Sequence, residues 1–352
     1  MAKRDGKANS RRINLALQGG GAHGAFTWGV IERLLDEPGL EIAGISGTSA
    51  GALNGAALKQ GLLTNGIEGA RAELERLWVR VGAVGDMRLQ NWMTALVPFA
   101  SSAMQVANML TPVSLQGVAA QFYSPYLFGD NWRNPLDPVV RRFRFDKVCE
   151  TSGPALFVCA TNVRTGKIRI FEGQEITPEA LLASACLPTV FQTVELVDPA
   201  TGKLEAYWDG GYSGNPALFP LFRPDLPDDV IVVQINPLRR EEIPLTPVAI
   251  QNRINEISFN SSLLRELRAI HFVRELIAEG RIERGTMKDV RLHMISDDAL
   301  MTELGVETKL TPSPILLHRL RMAGRDAAER FLTDHGGDIG ERGSVDLPAM
   351  FG

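Results

Sequence analysis

The sequence predicts an α/β protein: a three-layer α/β/α sandwich around a mostly parallel central sheet. Three observations carry this. The chain opens with a strand, a glycine loop, a helix, a second strand and a second helix, the βαβα order of parallel sheets with helices on their faces. Val230–Ile235 is apolar throughout, as expected of a strand buried on both faces. The 352 residues are 45% hydrophobic and 22% charged, enough to bury one large core, and no internal repeat or linker marks a second domain.

Taken in order, Met1 to Arg12 is basic and polar with no apolar run behind it, so residues 1–12 read as a disordered leader and not as a signal peptide. Ile13–Gln18 reads as the first strand, followed by Gly19-Gly20-Gly21-Ala22-His23-Gly24 and a helix over Ala25–Leu35 that Pro38-Gly39 ends. Ile42–Ile45 leads into Ser46-Gly47-Thr48-Ser49-Ala50-Gly51, and helical patterns follow at Ala50–Lys59 and Leu74–Val81. Residues 89–129 contain no Asp, Glu, Lys or Arg, but prolines at 98, 112 and 125 interrupt them and no continuous 20-residue span forms. They fit either a buried pair of short helices or an apolar, cap-like insertion that meets acyl chains or a membrane surface.

Ala155–Thr161 pairs with Lys167–Glu172 as a hairpin, Thr177–Ala185 reads as a helix, and Thr193–Val197 with Leu204–Tyr207 forms a second hairpin that delivers Asp209. Ile254–Gly280 is an amphipathic helix with Leu263, Leu267, Ile270 and Ile277 on its apolar stripe. Val290–Ser296 is a last strand. Residues 237–332 then form a helical extension on the same domain, and 333–352, glycine-rich, a flexible tail. The net charge of −4 argues against a nucleic-acid partner. Cys149, Cys159 and Cys186 lack paired spacing and read as reduced core thiols, which points to the cytoplasm, with no transmembrane helix expected. No cluster has metal-ligand spacing, so neither metal nor cofactor is expected.

Two places carry chemistry. Gly47-Thr48-Ser49-Ala50-Gly51 at a strand-to-helix junction is the pattern of a nucleophile elbow, whose small neighbours let the backbone turn sharply and hold the hydroxyl clear of the sheet. Asp209, at a strand end before Gly210 and Gly211, is a carboxylate with room to approach Ser49, although Asp-Gly is also a common turn. Gly19-x-Gly21-x-x-Gly24 satisfies the dinucleotide fingerprint, but the second strand ends in Ser49 and not in the acidic residue that would hold a ribose. The same glycines can expose N–H groups to a developing oxyanion. Two alternatives stay open: a Ser-His-Asp triad using His271 or His293, and a non-catalytic module that holds a nucleotide or acyl group.

In order, GGGAHG (19–24), GTSAG (47–51), LASACLPTVFQ (182–192) and DGG (209–211) resemble the patatin-like phospholipase family over about Ile13 to Ile235. The resemblance implies a patatin-like catalytic domain over 13–236 and a serine lipid acyl hydrolase. In it Ser49 is the nucleophile and Asp209 the proton acceptor of a dyad without histidine. N–H groups of Gly19, Gly20, Gly21 and Ala50 form the oxyanion hole, and Gly24, Gly47, Gly51, Gly210 and Gly211 shape the loops. The implied partner is a lipid or acyl ester, with peripheral membrane contact through 89–129.

Overall fold

The computed structural model describes residues 11–84, 124–126, 133–305 and 307–351. Most of the leader, and the apolar 89–129 stretch apart from residues 124–126, lie outside the described residues. The strands are β1 (Arg11–Leu17), β2 (Leu40–Thr48), β3 (Ala155–Asn162), β4 (Ile168–Glu172), β5 (Val194–Val197), β6 (Leu204–Asp209), β7 (Asp229–Val233) and β8 (Arg291–Ile295). They form a sheet in the order β5-β6-β3-β2-β1-β7-β8, with β4 paired to β3 beside that path. From β3 to β8 neighbouring strands run parallel; β4 and β6 pair antiparallel to β3, and β5 antiparallel to β6.

Alternation along the strands separates two cores. Ile13, Leu15 and Leu17 of β1, with Ile231 and Val233 of β7, face the larger one. That core is covered by α1 (Gly24–Leu35), α2 (Ala50–Val84) and, further along the chain, α8 (Pro314–His335). Ala16, Val230 and Val232 face the opposite side, where Leu263, Leu267 and Ile270 of α6 (Pro247–Ala278) cover them. Period-two side-chain direction thus turns one apolar strand into a partition between two layers. Between these elements lie the short helices α3 (Asp137–Val140), α4 (Phe145–Val148), α5 (Pro178–Ser184) and α7 (Asp298–Leu304), and α9 (Leu347–Phe351) closes the chain.

The predicted elements differ in detail. The two helical patterns after Ser49 lie in one run, α2, broken at Asn65 and Gly66, where Gly66 takes φ +59°. β1 begins at Arg11: Arg11 and Arg12, read from the sequence as part of the leader, pair with Leu40 and Glu41 of β2. The strand expected at Val290–Ser296 forms as β8 beside β7, and α8 packs along α1, where Arg321 binds Glu32 at 2.8 and 2.9 Å and lies 4.2 Å above the Trp28 ring.

The glycine-rich tail, expected to be loose, is fastened. The Gly340 N–H donates to Asp229 at 2.9 Å, Arg11 donates to the Gly336 carbonyl at 2.7 Å, and Ile339 and Leu347 are buried. Burial of two apolar side chains and partners for the backbone groups offset the flexibility of the glycines. Among the described residues, no helix is long and apolar enough to cross a membrane.

Candidate active site

Ser49 follows β2 directly and precedes the first turn of α2. Its backbone sits at φ +54°, in the left-handed region, which costs a non-glycine residue on the order of 1–3 kcal/mol and persists only where the surroundings enforce it. The enforcement is visible. The Ser49 N–H donates to Ser184 Oγ at 2.9 Å, its carbonyl accepts from Leu53 N–H at 3.1 Å, and Thr48 Oγ1 donates to the Gly214 carbonyl at 2.7 Å. Gly19 lies alongside, where a Cβ would stand 2.8 Å from both Ser49 Cβ and the Thr48 carbonyl oxygen, so only glycine lets the first loop pass this close to the hydroxyl. Gly47 and Gly51 flank the turn, and Gly24 opens α1 against Ala50.

Asp209 ends β6, and β3 stands between β6 and β2. Thr48 pairs with Cys159 and Asp209 with Ala160, so the two functional strand ends meet adjacent residues of one intervening strand. Two strand spacings, roughly 9.6 Å, separate their backbones. The side chains reach toward one another over the end of β3, and the Ser49 hydroxyl lies close enough to the Asp209 carboxylate to pull its pKa down. The turn that follows crosses β3 so tightly that a Cβ on Gly210 would collide with the Cys159 carbonyl. The Asp209 N–H donates to the Cys186 carbonyl at 2.8 Å, Thr161 Oγ1 donates to the Asp209 carbonyl at 2.8 Å, and the Gly211 N–H donates to Asp209 Oδ1 at 2.7 Å. Asp209 is 1% exposed, and burial pushes its carboxyl up to about 7, against the opposing pull of the Gly211 and Ser49 hydrogen bonds.

The glycine loop is held by amides that the sequence reading did not single out. The Gly19 N–H donates to Asn215 Oδ1 at 2.6 Å, and the Gly19 carbonyl accepts from Asn236 Nδ2 at 2.8 Å. This corrects one expectation: the Gly19 N–H is already engaged and is not free to serve an oxyanion. The N–H groups of Gly20, Gly21 and Ala50 have no acceptor among the described residues. Gln18 Oε1 accepts from the Ile235 and Asn236 N–H groups at 2.9 and 3.0 Å, and Gln18 Nε2 donates to Asn260 Oδ1 at 3.3 Å. Lys309 Nζ donates to Asn236 Oδ1 at 2.6 Å, and burial pushes its ammonium down to about 8. Asn215 lay in view six residues past Asp209. The others come from distant segments and carry no local pattern.

The histidines stand elsewhere. His293 Nε2 is 3.1 Å from Asp229 and Nδ1 is 3.1 Å from Ser344 Oγ, on the far edge strand β8, three strands from β2. His271 lies on α6, 3.5 Å from Glu275 and stacked on Phe351. Neither meets Ser49 or Asp209, so the arrangement offers a triad no base. His23, inside the glycine loop, is 2.7 Å from Thr308 Oγ1 and held neutral, pushed down to about 3 by burial and the Lys309 cation. Cys149, Cys159 and Cys186 are buried free thiols, and burial pushes Cys186 up to about 12. Among the described residues no cluster of three or more His, Cys, Asp or Glu could hold a metal ion. The arrangement can therefore combine a hydroxyl, a carboxylate with a raised pKa, and unengaged N–H groups at a helix start, the parts that acyl transfer requires.

Residues 15–222 match the family model for patatin-like phospholipases. Among solved structures, VipD from Legionella pneumophila matches at 15% identity and a TM-score of 0.42, over 93% of this chain and 67% of that one. The ExoU–SpcU complex of the Pseudomonas aeruginosa type III secretion system matches at 14% identity and a TM-score of 0.32, over 92% of this chain and 52% of that one. No curated protein matches the chain.

Proposed function

Because the chain belongs to the patatin-like phospholipase family and is a lipid acyl hydrolase, we propose that Ser49 and Asp209 are its catalytic dyad. One observation carries this reading: Ser49, held at φ +54° at the start of α2, and the buried Asp209 stand at the ends of strands that both pair with β3, at Cys159 and Ala160, so the hydroxyl and the carboxylate face each other over its end.

Ser49 Oγ attacks the carbonyl carbon of a lipid ester while Asp209 takes the hydroxyl proton. The carbonyl oxygen becomes an oxyanion, stabilised by the N–H groups of Gly20, Gly21 and Ala50 and by the dipole of α2; such donors contribute about 2.7–4 kcal/mol each. Collapse expels the alcohol, which leaves with the proton held by Asp209, and an acyl-serine remains. Asp209 then deprotonates a water that attacks the acyl carbon, and the fatty acid departs as Ser49 regains its proton. An ordinary carboxylate is a weak base for a hydroxyl. Burial of Asp209 raises its basicity by pushing its carboxyl up to about 7.

Ser49→Ala and Asp209→Asn are each expected to lower p-nitrophenyl ester hydrolysis by roughly a thousandfold or more. A fluorophosphonate probe should label wild type and not Ser49→Ala. Full hydrolysis by both folded variants would overturn the assignment.

A further inference from the structure

The amino-terminal part of α6 reaches beyond the sheet. Asn260 donates to the carbonyls of Asn236 and Pro237 and bonds Gln18, at the carboxyl ends of β1 and β7. Residues 247–259 precede it and span about 20 Å of helix beyond that point, packed on their inner side, where Arg240 and Arg253 bind the buried Glu256. Ser49 and Asp209 lie at the same edge, and Phe259 packs edge-on to Tyr212 at 5.1 Å, three residues from Asp209. This stretch of helix therefore stands beside the proposed dyad.

Its outer face is apolar. Ile250, Ile254 and Ile257 follow one another at helical spacing on one stripe, and Leu245 precedes them in the entry loop; the four are 43% to 86% exposed. A stripe of this kind on a water-soluble surface marks a docking face. Further down the same side stand Arg265 and Arg268, both exposed and neither paired with a carboxylate among the described residues. Arg268 follows Ile250 by five helical turns and so lies on the same line, and Arg265 begins about 12 Å below Ile257. Aliphatic side chains at the tip, with below them two cations that have no carboxylate partner among the described residues, Arg268 over the Phe351 ring and Arg265 on Ser261, suit a phospholipid surface, which offers hydrocarbon and phosphate.

We propose that this end of α6 seats the enzyme on a phospholipid surface and so brings the mouth of the site to its lipid. The assignment rests on the chain's being a lipid hydrolase and is independent of which residues perform the chemistry.

The test uses the full chain with phosphatidylcholine vesicles and a water-soluble p-nitrophenyl ester. Replacing the stripe (Ile250→Ser, Ile254→Ser and Ile257→Ser together) is expected to lower the vesicle-bound fraction on flotation roughly tenfold or more. Vesicle-lipid hydrolysis should fall in step, while hydrolysis of the soluble ester stays within about twofold. Leucine at the same three positions should restore binding. Unchanged flotation of the serine variant overturns the proposal. So does an equal loss on both substrates with an unchanged melting temperature, which would mean that the stripe receives the chain's own apolar segment. A wild-type dimer that the substitutions dissociate, with vesicle binding intact, would assign the face to a second copy. Ser49→Ala should float like wild type, so failure of the dyad and failure of the docking face read out separately.

Discussion

As the proposed base, Asp209 would have to be both buried and basic, and these demands leave measurable traces. A general base works only when ionised, so kcat/KM is expected to rise with pH through about 7, level off above it, and fall about tenfold per unit below. A profile that stays flat between pH 5 and 8 would count against Asp209 as the base. The same burial lowers stability. The folded carboxyl binds its proton more tightly than the unfolded one, whose pKa is 3.8, so this group's cost to folding grows as pH rises from about 4 to 7 and is complete above that. Asp209→Asn removes the charge and keeps an oxygen for the Gly211 N–H. It should therefore raise the melting temperature, by an amount corresponding to a few kcal/mol at pH 8 and distinctly less at pH 5, while abolishing hydrolysis. Equal effects at the two pH values would show that desolvation of the anion is not the cause.

At the scale of elements, the glycine loop depends on a part of the chain that lies beyond the family match. Asn236 grips the Gly19 carbonyl, and Lys309, from the short turn after α7, grips Asn236. Lys309→Met is expected to lower kcat by roughly tenfold to a hundredfold with KM little changed, because misplaced N–H donors lose grip on the transition state more than on the substrate. Fluorophosphonate labelling should slow in parallel at an unchanged melting temperature. A KM effect alone would place Lys309 in substrate binding instead. This brace also marks the limit of what was legible in the sequence. The elbow, the glycine loop and the hairpin that ends in Asp209 could be read because each is a local pattern of a few residues. Gln18 and Asn236 are 218 positions apart, and nothing near either residue announces the other. Ser184 was visible only as one small residue within a block, and its bond to the Ser49 N–H needed the fold to appear. Even the Gly19 N–H looked free until Asn215 was placed against it.

Across the whole molecule, the tail acts as a clasp on one edge of the sheet. Asp229 collects the Gly340 N–H, His293 and Arg291, and thereby joins β7, β8 and the C-terminal residues. Deleting residues 336–352 exposes that carboxylate's site and the apolar surface under Ile339 and Leu347. The truncated protein is expected to melt at least a few degrees lower, as judged by circular dichroism. An unchanged melting curve would mean that these contacts add nothing net. Composition pointed the other way, because glycine-rich sequence is more often loose; the burial of two side chains and the filled hydrogen bonds of one carboxylate decide otherwise.

β3, the strand between the two functional strand ends, has a wider consequence. Ser49 and Asp209 do not take their separation from the long chain that joins them. Each is fixed by its own ladder to β3, at Cys159 and at Ala160. β3 is thus a ruler, and the reactive distance is a quantity of sheet register. The exposed turn at 199–203, which joins β5 to β6, can change sequence without altering that distance. A slip of one residue between β3 and β6 would carry Asp209 about 3.3 Å along the strand and turn its side chain to the other face. Variation is therefore cheap in such a turn and prohibited in three short strands, an asymmetry that leaves the turn free to change while the reactive distance is kept.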